Sequence, residues 1–481
     1  MKTFYKILIA AIAAALCVPA FAGLSPKYPC SDGMVLQQNT KALIWGHGDA
    51  GKTVKVTTSW DKASYSATVA EDGVWRIYAA TPSASYNHYD IQVKCGSEKY
   101  TINDVLIGEV WVASGQSNME MPLRGFYNCP VENSNYVIAN PAGADNVRMF
   151  TVGIDPQYEP VSDVAITRGW EKAAPGAVAE MSATAYFFAE QLNRSLDVPV
   201  GILALPRGGA RVESWLPRAT VEGYGTEDCS PEGQEKLLDY TRAYVMYNGM
   251  EQPVKGYTAR GFIWYQGCSN IRHANEYPER LKNMVDLWRK DIGLGDIPFY
   301  QVQIAPYIFD KTENDTVGAR LREAQDKACG IISNCDIVCT NDLVLPIERY
   351  NIHPSQKRTV GVRLALMALN KTYGMKEIAY CGPRFDRKKF HVDGTTAIVG
   401  FTTNEFGICR NWGLEGFEIA GEDRVFHAAT AEFHWQTNEV FLTSPNVPKP
   451  VAVRYCFKDF QIGNLIGGNE LPCFPFRTDE W

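Results

Sequence analysis

Residues 105–119 read VLIGEVWVASGQSNM, and the rest of the chain is organised around them. The first part of this stretch is mostly apolar, as in a strand that is buried on both faces. The apolar run ends at Ser114-Gly115, and the small polar residues Gln116-Ser117-Asn118 follow at once. Ligands of open α/β sheets bind at the carboxyl ends of strands. A serine at such a place can act as a nucleophile when a base lies nearby, although these residues alone also fit a polar turn.

Strand-like and helix-like segments alternate from residue 105 to about residue 375. The pattern predicts strands over residues 105–113, 198–205, 261–265, 297–304 and 336–340. It predicts helices over residues 182–196, 231–247, 276–292, 314–329 and 355–373, the first of them capped by Ser182. Such alternation is typical of an α/β fold, with a parallel sheet covered on both faces. Because parallel strands end at one edge, we expect Ser117, Gly208-Gly209, Gln266-Gly267 and His353 to converge there.

Short β-prone runs separated by turns surround this α/β region on both sides. We predict an N-terminal β domain at 23–104, a catalytic α/β domain at 105–375 and a C-terminal β region at 376–481. Residues 1–22 combine Lys2 and Lys6 with an apolar run and end in Ala20-Phe21-Ala22, the pattern of a cleaved signal peptide. The expected location is therefore secreted or periplasmic.

The composition excludes several classes of protein. The net charge of −7 and the pI of about 5.7 argue against binding to nucleic acid, which requires a basic face. No run after residue 22 is long and apolar enough to predict a membrane span. Twelve of the 13 cysteines follow the predicted signal peptide, but their irregular spacing predicts neither a disulfide framework nor a zinc site. Disulfide pairing and oligomeric state stay open.

The converging residues suggest nucleophilic catalysis. A serine hydroxyl needs a base to accept its proton and donors for the oxyanion that forms on attack. We predict Ser117 as the nucleophile and His353 as the base. The predicted oxyanion donors are the backbone N–H groups of Ser117 and Gly209 and the side chain of Gln266. None of the other histidines has metal-ligand spacing, and we predict no metal site.

Four blocks of sequence carry a family resemblance: GQSNM at 115–119, GGARVESW at 208–215, IWYQGCSN at 263–270 and IHP at 352–354. They resemble the sialate O-acetylesterase family of the SGNH (GDSL-like) hydrolases. The segments GFEIAG at 416–421 and VAVRY at 451–455 are similar as well, so the resemblance covers nearly the whole mature chain.

This resemblance implies an SGNH-type three-layer α/β/α catalytic domain flanked by β-sandwich-like regions. It also implies a serine esterase that removes O-acetyl groups from sugars through an acetyl-enzyme, without a cofactor. The substrate would be an acetylated carbohydrate, either sialic acid or another glycan. The alternatives are an acetylxylan-type esterase and a non-catalytic glycan-binding protein with a degenerate site.

Two positions depart from the family pattern. Asn351 stands two residues before His353, where the family commonly has Asp, and an amide cannot stabilise an imidazolium as a carboxylate does. Either the site is a Ser-His dyad, or a carboxylate such as Glu348 or Asp342 serves. Cys268 stands where the family usually has Glu; it is either a substituted support residue or half of a Cys-His nucleophile pair. Gln116 is a further possible support residue.

Overall fold

The computed structural model describes residues 23–165, 168–310, 316–402, 407–409 and 413–481. The predicted signal peptide lies outside these residues, as does the predicted helix start at Asn314. Within the described residues, no helix is long and apolar enough to cross a membrane.

From residue 23 the described structure is β-rich and mostly antiparallel. Its strands are β1 (Ser25–Pro26), β2 (Val35–Gln37), β3 (Lys41–His47), β4 (Thr53–Thr58), β5 (Ser64–Thr68), β6 (Val74–Ala80), β7 (Ser85–Cys95) and β8 (Glu98–Gly115). Strands β1, β3 and β6 form one small sheet, and β4, β5 and β7 join a second sheet through β8. In β8, residues 98–104 are mostly at least partly exposed, whereas residues 105–115 are all buried. One strand thus leads from an exposed sheet into the core, and the predicted domain limit at residue 104 falls inside it.

The middle of the chain contains the predicted alternation of strands and helices. The strands are β9 (Val147–Thr151), β10 (Trp170–Lys172), β11 (Val200–Pro206), β12 (Gly261–Tyr265), β13 (Phe299–Val302) and β14 (Cys335–Val338). The helices are α1 (Ser117–Glu120), α2 (Ser134–Ala139), α3 (Ala183–Leu196), α4 (Arg218–Tyr224), α5 (Pro231–Glu235), α6 (Tyr277–Ile292), α7 (Val317–Ile331) and α8 (Lys357–Lys371). As predicted, Ser182 caps α3, and its hydroxyl accepts a hydrogen bond from the N–H of Ala185 at 3.2 Å.

The central sheet has the strand order β10-β9-β11-β8-β12-β13-β14. All neighbouring pairs in it are parallel except β10 and β9. Alternate residues of β8 belong to different hydrophobic clusters: Val110 and Val112 pack with α6 and α7, while Trp111 and Ala113 pack with α3 and α8. Because alternate side chains of a strand point to opposite faces, the two clusters lie on opposite sides of β8.

The predicted helix over residues 231–247 is wrong. The structure has the short α5, a 3₁₀ turn at Asp239–Thr241 and a π-helix at Tyr247–Glu251. The buried side chain of Gln234 accepts from the N–H of Ala243 and donates to the C=O of Asp228, each at 2.7 Å. Tyr244 has a left-handed backbone, with φ of 52°. Side-chain hydrogen bonds to the backbone compete with helix hydrogen bonds, and here they fold the segment back on itself.

The last part of the chain is β-rich. Its strands are β15 (Arg384–Asp393), β16 (Thr396–Thr402), β17 (Phe417–Ala420), β18 (Phe426–Ala428), β19 (Thr430–His434), β20 (Glu439–Thr443), β21 (Ala452–Tyr455) and β22 (Phe476–Arg477). They form two four-stranded antiparallel sheets, β15-β16-β20-β19 and β18-β17-β21-β22, around a common apolar cluster. The backbone N–H of Gly318, in α7, donates to the side chain of Asp459 at 2.8 Å, which links this region to the central helices.

Candidate active site

Ser117 lies at the carboxyl end of the central strand, where a tight turn presents it. Gly115 closes β8 with φ of +138°, and a Cβ atom there would lie 2.3 Å from the C=O oxygen of Tyr265. The N–H of Gln116 donates to that same oxygen at 2.9 Å. The turn therefore needs glycine, because a side chain would collide with the neighbouring strand β12. Ser117 then opens the short helix α1.

His353 comes from the loop before α8 and meets Ser117 across 236 positions of sequence. Its Nε2 lies 2.8 Å from the Ser117 Oγ, a hydrogen-bond distance. Both residues are partly exposed, so a substrate can reach them. This pair has the geometry of a nucleophile and its general base.

The other ring nitrogen of His353 faces a thiol. Its Nδ1 lies 3.9 Å from the Sγ of Cys129. The same sulfur donates to the Oδ1 of Asn351 at 3.5 Å, and that oxygen also accepts from the backbone N–H of His353 at 3.0 Å. The ring of Phe126 packs edge-on against the imidazole, with centroids 5.3 Å apart. Within the described part of the chain, no carboxylate contacts Nδ1.

The two acidic candidates for a triad have other partners. The carboxylate of Glu348 accepts hydrogen bonds from the N–H groups of Leu345 and Ser355, each at 2.9 Å. These bonds stabilise the loop that carries His353. Asp342 forms a two-armed ion pair with Arg363, at 2.7 and 2.6 Å. The alternative in which either acid orients His353 directly is therefore wrong for this structure.

Two backbone donors are available for an oxyanion near Ser117. Gly208 and Gly209 follow β11, and a Cβ atom on Gly208 would lie 3.5 Å from that of Ser117. The N–H of Gly208 donates to the carboxylate of Glu120. In the described structure, the N–H groups of Ser117 and Gly209 donate to no protein acceptor. Gly209 adopts φ of +75°, and Tyr240 packs so closely that a Cβ atom would lie 2.2 Å from its ring.

The prediction that Gln266 supplies a third oxyanion donor is wrong in this structure. Its side chain is fully buried, and its Nε2 donates to the C=O of Ala210 at 3.1 Å and to the Oδ1 of Asn270 at 2.7 Å. Both amide hydrogens are thus engaged. Gln266 therefore ties the Gly209 loop to the segment after β12, and it acts on the site through the backbone.

Gln116 and Asn118 fix the turn from both sides of Ser117. The Oε1 of Gln116 accepts from the N–H of Gly267 at 2.8 Å. The Nδ2 of Asn118 donates to the C=O of Ile352 at 2.9 Å. The Nζ of the buried Lys357 donates to the Oδ1 of Asn118 at 2.8 Å and to the C=O of Pro354 at 2.6 Å. Asn118 and Lys357 together connect the serine turn to the histidine loop.

Burial lowers the basicity of both nitrogen groups. Desolvation, with a smaller contribution from the charge of Lys357, lowers the pKa of His353 to about 4. Desolvation also lowers the pKa of Lys357 to about 7, against the opposing charge of Glu348. His353 is therefore neutral near pH 7, as a general base must be.

Cys268 does not form a pair with His353. Burial raises the pKa of its thiol to about 12, and the charged groups that act on it are Arg322 and Lys357. A thiol held in its neutral form is a poor nucleophile. The two ring nitrogens of His353 face other side chains, Ser117 at Nε2 and Cys129 at Nδ1, so the Cys-His alternative with Cys268 is wrong for this structure.

A cavity of about 250 Å³ is lined by neighbours of the pair, although not by Ser117 or His353 themselves. Its walls include Glu120, from the Ser117 helix, and Phe126, from the turn that packs on His353. Arg124 and Glu180 also line it, and they form an ion pair at 2.6 Å. A sugar ring has the size and polarity to occupy such a space. Among the described residues, no group of three or more His, Cys, Asp or Glu side chains is arranged to hold a metal ion.

Sequence reasoning missed Cys129, Lys357 and Glu120. Glu120 lies three residues after Ser117, on the same short helix, so its proximity could have been inferred from helical spacing. Lys357 lies four residues after His353, but a lysine at the start of a helix is usually assigned to the surface. Cys129 lies in a loop without periodicity, and nothing in the sequence signals its contact with His353.

Comparison with known proteins relates the chain to carbohydrate esterases. A family model described as carbohydrate esterase, sialic acid-specific acetylesterase, matches residues 107–370. The sialate O-acetylesterase of Pongo abelii is 27% identical over 386 residues, which is 73% of this chain and 72% of that protein. The sialate O-acetylesterase of Mus musculus is 26% identical over 431 residues, 77% of each protein.

A solved structure shows the same architecture. The crystal structure of a carbohydrate acetylesterase from Xanthomonas citri superposes with a TM-score of 0.84 at 30% identity. The superposition covers 95% of this chain and 100% of that one. The range matched by the family model, residues 107–370, contains Ser117, the Gly208-Gly209 turn and His353. The chain therefore belongs to the sialic acid-specific acetylesterase family of carbohydrate esterases, which are carboxylic ester hydrolases.

Proposed function

We propose that this protein is a serine esterase that removes O-acetyl groups from sugars through an acetyl-enzyme. The observation that carries the proposal is the 2.8 Å contact between Ser117 Oγ and His353 Nε2 at the ligand-binding edge of the sheet. His353 accepts the hydroxyl proton as Oγ attacks the acetyl carbonyl. The same nitrogen then protonates the departing sugar oxygen, and water repeats the cycle on the acetyl-serine.

The oxyanion of each tetrahedral intermediate would accept hydrogen bonds from the N–H groups of Ser117 and Gly209. Both belong to backbone segments that the surrounding structure fixes before substrate arrives. Fixed donors stabilise developing charge without reorganisation, which is the larger part of catalysis in many esterases. Glu120, by accepting the Gly208 N–H, would keep the loop in the conformation that points the next N–H at the oxyanion.

The proposed substrate is an acetylated carbohydrate, either sialic acid or another glycan such as xylan. Its support is that the relatives are sialate O-acetylesterases and a carbohydrate acetylesterase, together with the cavity that Glu120 and Phe126 line. We further infer that the catalytic domain is an SGNH-type three-layer α/β/α domain at residues 105–375, between a β domain at 23–104 and a β region at 376–481. Export through cleavage after residue 22 is also part of this proposal.

The test is hydrolysis of p-nitrophenyl acetate, followed by acetylated sialic acid and acetylated xylan. We expect Ser117→Ala to lose about 10⁴-fold or more of kcat, since the nucleophile and base act as a unit. Ser195→Ala, on the partly exposed side of α3, is the matched control and should retain wild-type rates. An initial burst of p-nitrophenol equal to the enzyme concentration would identify the acetyl-enzyme.

The second candidate function is glycan binding without turnover. The observation that favours it is the neutral environment of His353, which no described carboxylate contacts and whose pKa lies near 4. A weakly basic imidazole is a weak general base. Binding of acetylated sugar by a wild-type protein that releases no acetate would select this function over the esterase.

A further inference from the structure

One turn of the chain surrounds the imidazole of His353 on the side away from Ser117. Phe126 and Cys129 exchange backbone hydrogen bonds at 3.0 Å in both directions. The turn depends on Gly125, which has φ of +85° and where a Cβ atom would lie 2.5 Å from the C=O oxygen of Cys129. The turn thereby brings the ring of Phe126 and the thiol of Cys129 to the same imidazole.

The hydrogen bonds around the thiol have a direction. The Oδ1 of Asn351 is an acceptor, and it already receives the backbone N–H of His353, so the thiol hydrogen of Cys129 points toward it. The sulfur lone pairs are then left to face Nδ1. A ring nitrogen opposite lone pairs carries the hydrogen, so Nδ1 is protonated and Nε2 has the free lone pair. This is the tautomer that can accept a proton from Ser117.

We propose that Cys129 is a positioning residue for His353, taking with Asn351 the place that a carboxylate occupies in a Ser-His-Asp triad. The thiol fixes the ring orientation and the tautomer, while the amide of Asn351 fixes the thiol. It touches neither substrate nor the reacting atoms, and it lacks the charge that would stabilise an imidazolium. The proposal rests on the proposed esterase function and answers what replaces the family's aspartate at position 351.

The other groups around the imidazole of His353 have different roles, so Cys129 is the candidate for positioning the ring. Ser117 contacts Nε2, and Phe126 offers the edge of an apolar ring. The ammonium of Lys357 acts on His353 through its charge and donates to Asn118 and Pro354. Glu348 and Asp342 are engaged elsewhere. In the described structure, Cys129 is thus the side chain that meets Nδ1.

The experiment compares Cys129→Ala, Cys129→Ser, Asn351→Asp and the double variant Cys129→Ala/Asn351→Asp, with p-nitrophenyl acetate as substrate. We expect Cys129→Ala to lower kcat about 10- to 100-fold with little change in KM, less than the 10⁴-fold of a lost triad carboxylate. Cys129→Ser should keep most of the rate, since a hydroxyl also donates and accepts. Asn351→Asp should restore kcat in the double variant and shift the acid limb of kcat/KM to higher pH, because a carboxylate favours the imidazolium.

The matched control is Cys381→Ala, at another partly buried cysteine outside the site, which should behave as wild type. An active wild type with unchanged kcat in Cys129→Ala would overturn the positioning role. If Cys129→Ala does not fold, Cys129→Ser and Asn351→Asp decide by the same rate and pH criteria.

A second readout is independent of turnover. Nitrogen-15 spectra of histidine-labelled protein, with the His353 signals identified by His353→Gln, report which ring nitrogen carries the hydrogen. We expect protonated Nδ1 in the wild type and a mixture of tautomers in Cys129→Ala. The same tautomer in both proteins would overturn the proposal. A wild type without esterase activity would overturn the proposed function alone, and the spectra would still decide the role of Cys129.

Discussion

The two sides of the candidate active site are built differently. On the serine side, Gln116 and Asn118 are almost completely buried, and hydrogen bonds to neighbouring strands and loops hold the turn. On the histidine side, the ring of His353 is partly exposed. It contacts the thiol of Cys129, which the amide of Asn351 holds, and the ring of Phe126. The nucleophile is thus fixed mainly by backbone geometry, and the base by side chains. Backbone geometry tolerates little change, whereas a side-chain partner can be exchanged for another with the same direction of hydrogen bonding.

After removal of the nucleophile itself, the largest effect should come from disturbing the backbone of the serine side. Gly209→Ala would place a methyl group 2.2 Å from the ring of Tyr240, so the loop must shift and its N–H must leave the oxyanion position. We expect kcat to fall about 10²- to 10³-fold, the effect of losing one oxyanion donor. Gly225→Ala is the control, because Gly225 has φ of +63° but nothing within 4 Å of its Cβ position. Equal losses in the two variants would attribute the effect to backbone strain alone.

The environment of His353 should determine how kcat/KM depends on pH. His353 must be neutral to accept a proton, and its pKa is lowered to about 4, so kcat/KM should decline only near pH 4. At pH 5, a histidine with an ordinary pKa of about 6.5 would already have cost about 30-fold in rate. Rates with p-nitrophenyl acetate from pH 3.5 to 8, with circular dichroism to monitor folding, measure this limb. A midpoint near pH 6.5 would mean that burial does not perturb the imidazole in solution.

Lys357 joins the two sides, and its removal should alter how stability depends on pH. The unfolded lysine keeps its proton up to about pH 10.5, whereas the folded one loses it above about pH 7. The unfolded state then binds more protons, so this group makes the free energy of unfolding rise with pH above 7. Between pH 7 and 9, the free energy of unfolding of the wild type minus that of Lys357→Met should increase by up to about 1.4 kcal/mol per pH unit.

Urea unfolding at several pH values measures this difference. Lys282→Met removes a partly exposed lysine of α6 and should show no such growth. If the free energies of unfolding of wild type and Lys357→Met differ by the same amount at every pH from 7 to 9, the buried ammonium keeps its proton throughout this range.

The smallest effect should come from Cys268→Ala. Its thiol is kept neutral by burial and does not contact His353, so kcat should stay within about threefold of wild type. The same assay with p-nitrophenyl acetate measures it, beside Ser117→Ala. If Cys268→Ala lost as much of kcat as Ser117→Ala does, the pair of Cys268 and His353 would have to be reconsidered as nucleophile and base.

Sequence analysis predicted correctly the features that follow from strand order. Its predictions failed where the role of a residue depends on the direction in which its side chain points. Ser117, Gly209 and His353 converge because parallel strands end at one edge, and periodicity is enough to predict that. Gln266 also lies at this edge, but its amide turns inward to Asn270, which depends on tertiary packing. The contact between Cys129 and His353 spans 224 residues and depends on a turn set by Gly125. The helix expected over residues 231–247 failed because the hydrogen bonds of Gln234 outweighed local propensity.

Strand β8 has a consequence for how the molecule could be shortened. Its residues 98–102 pair with β7, and residues 109–115 pair with β11, so one continuous strand belongs to both regions. A chain that began at Val105 would lack β1 to β7 and the first part of β8, and it would expose the apolar surface that these strands cover in the intact chain. The N-terminal region is thus a part of the esterase's folding unit and not a detachable module. A minimal active fragment would have to retain it, whatever its own role in binding.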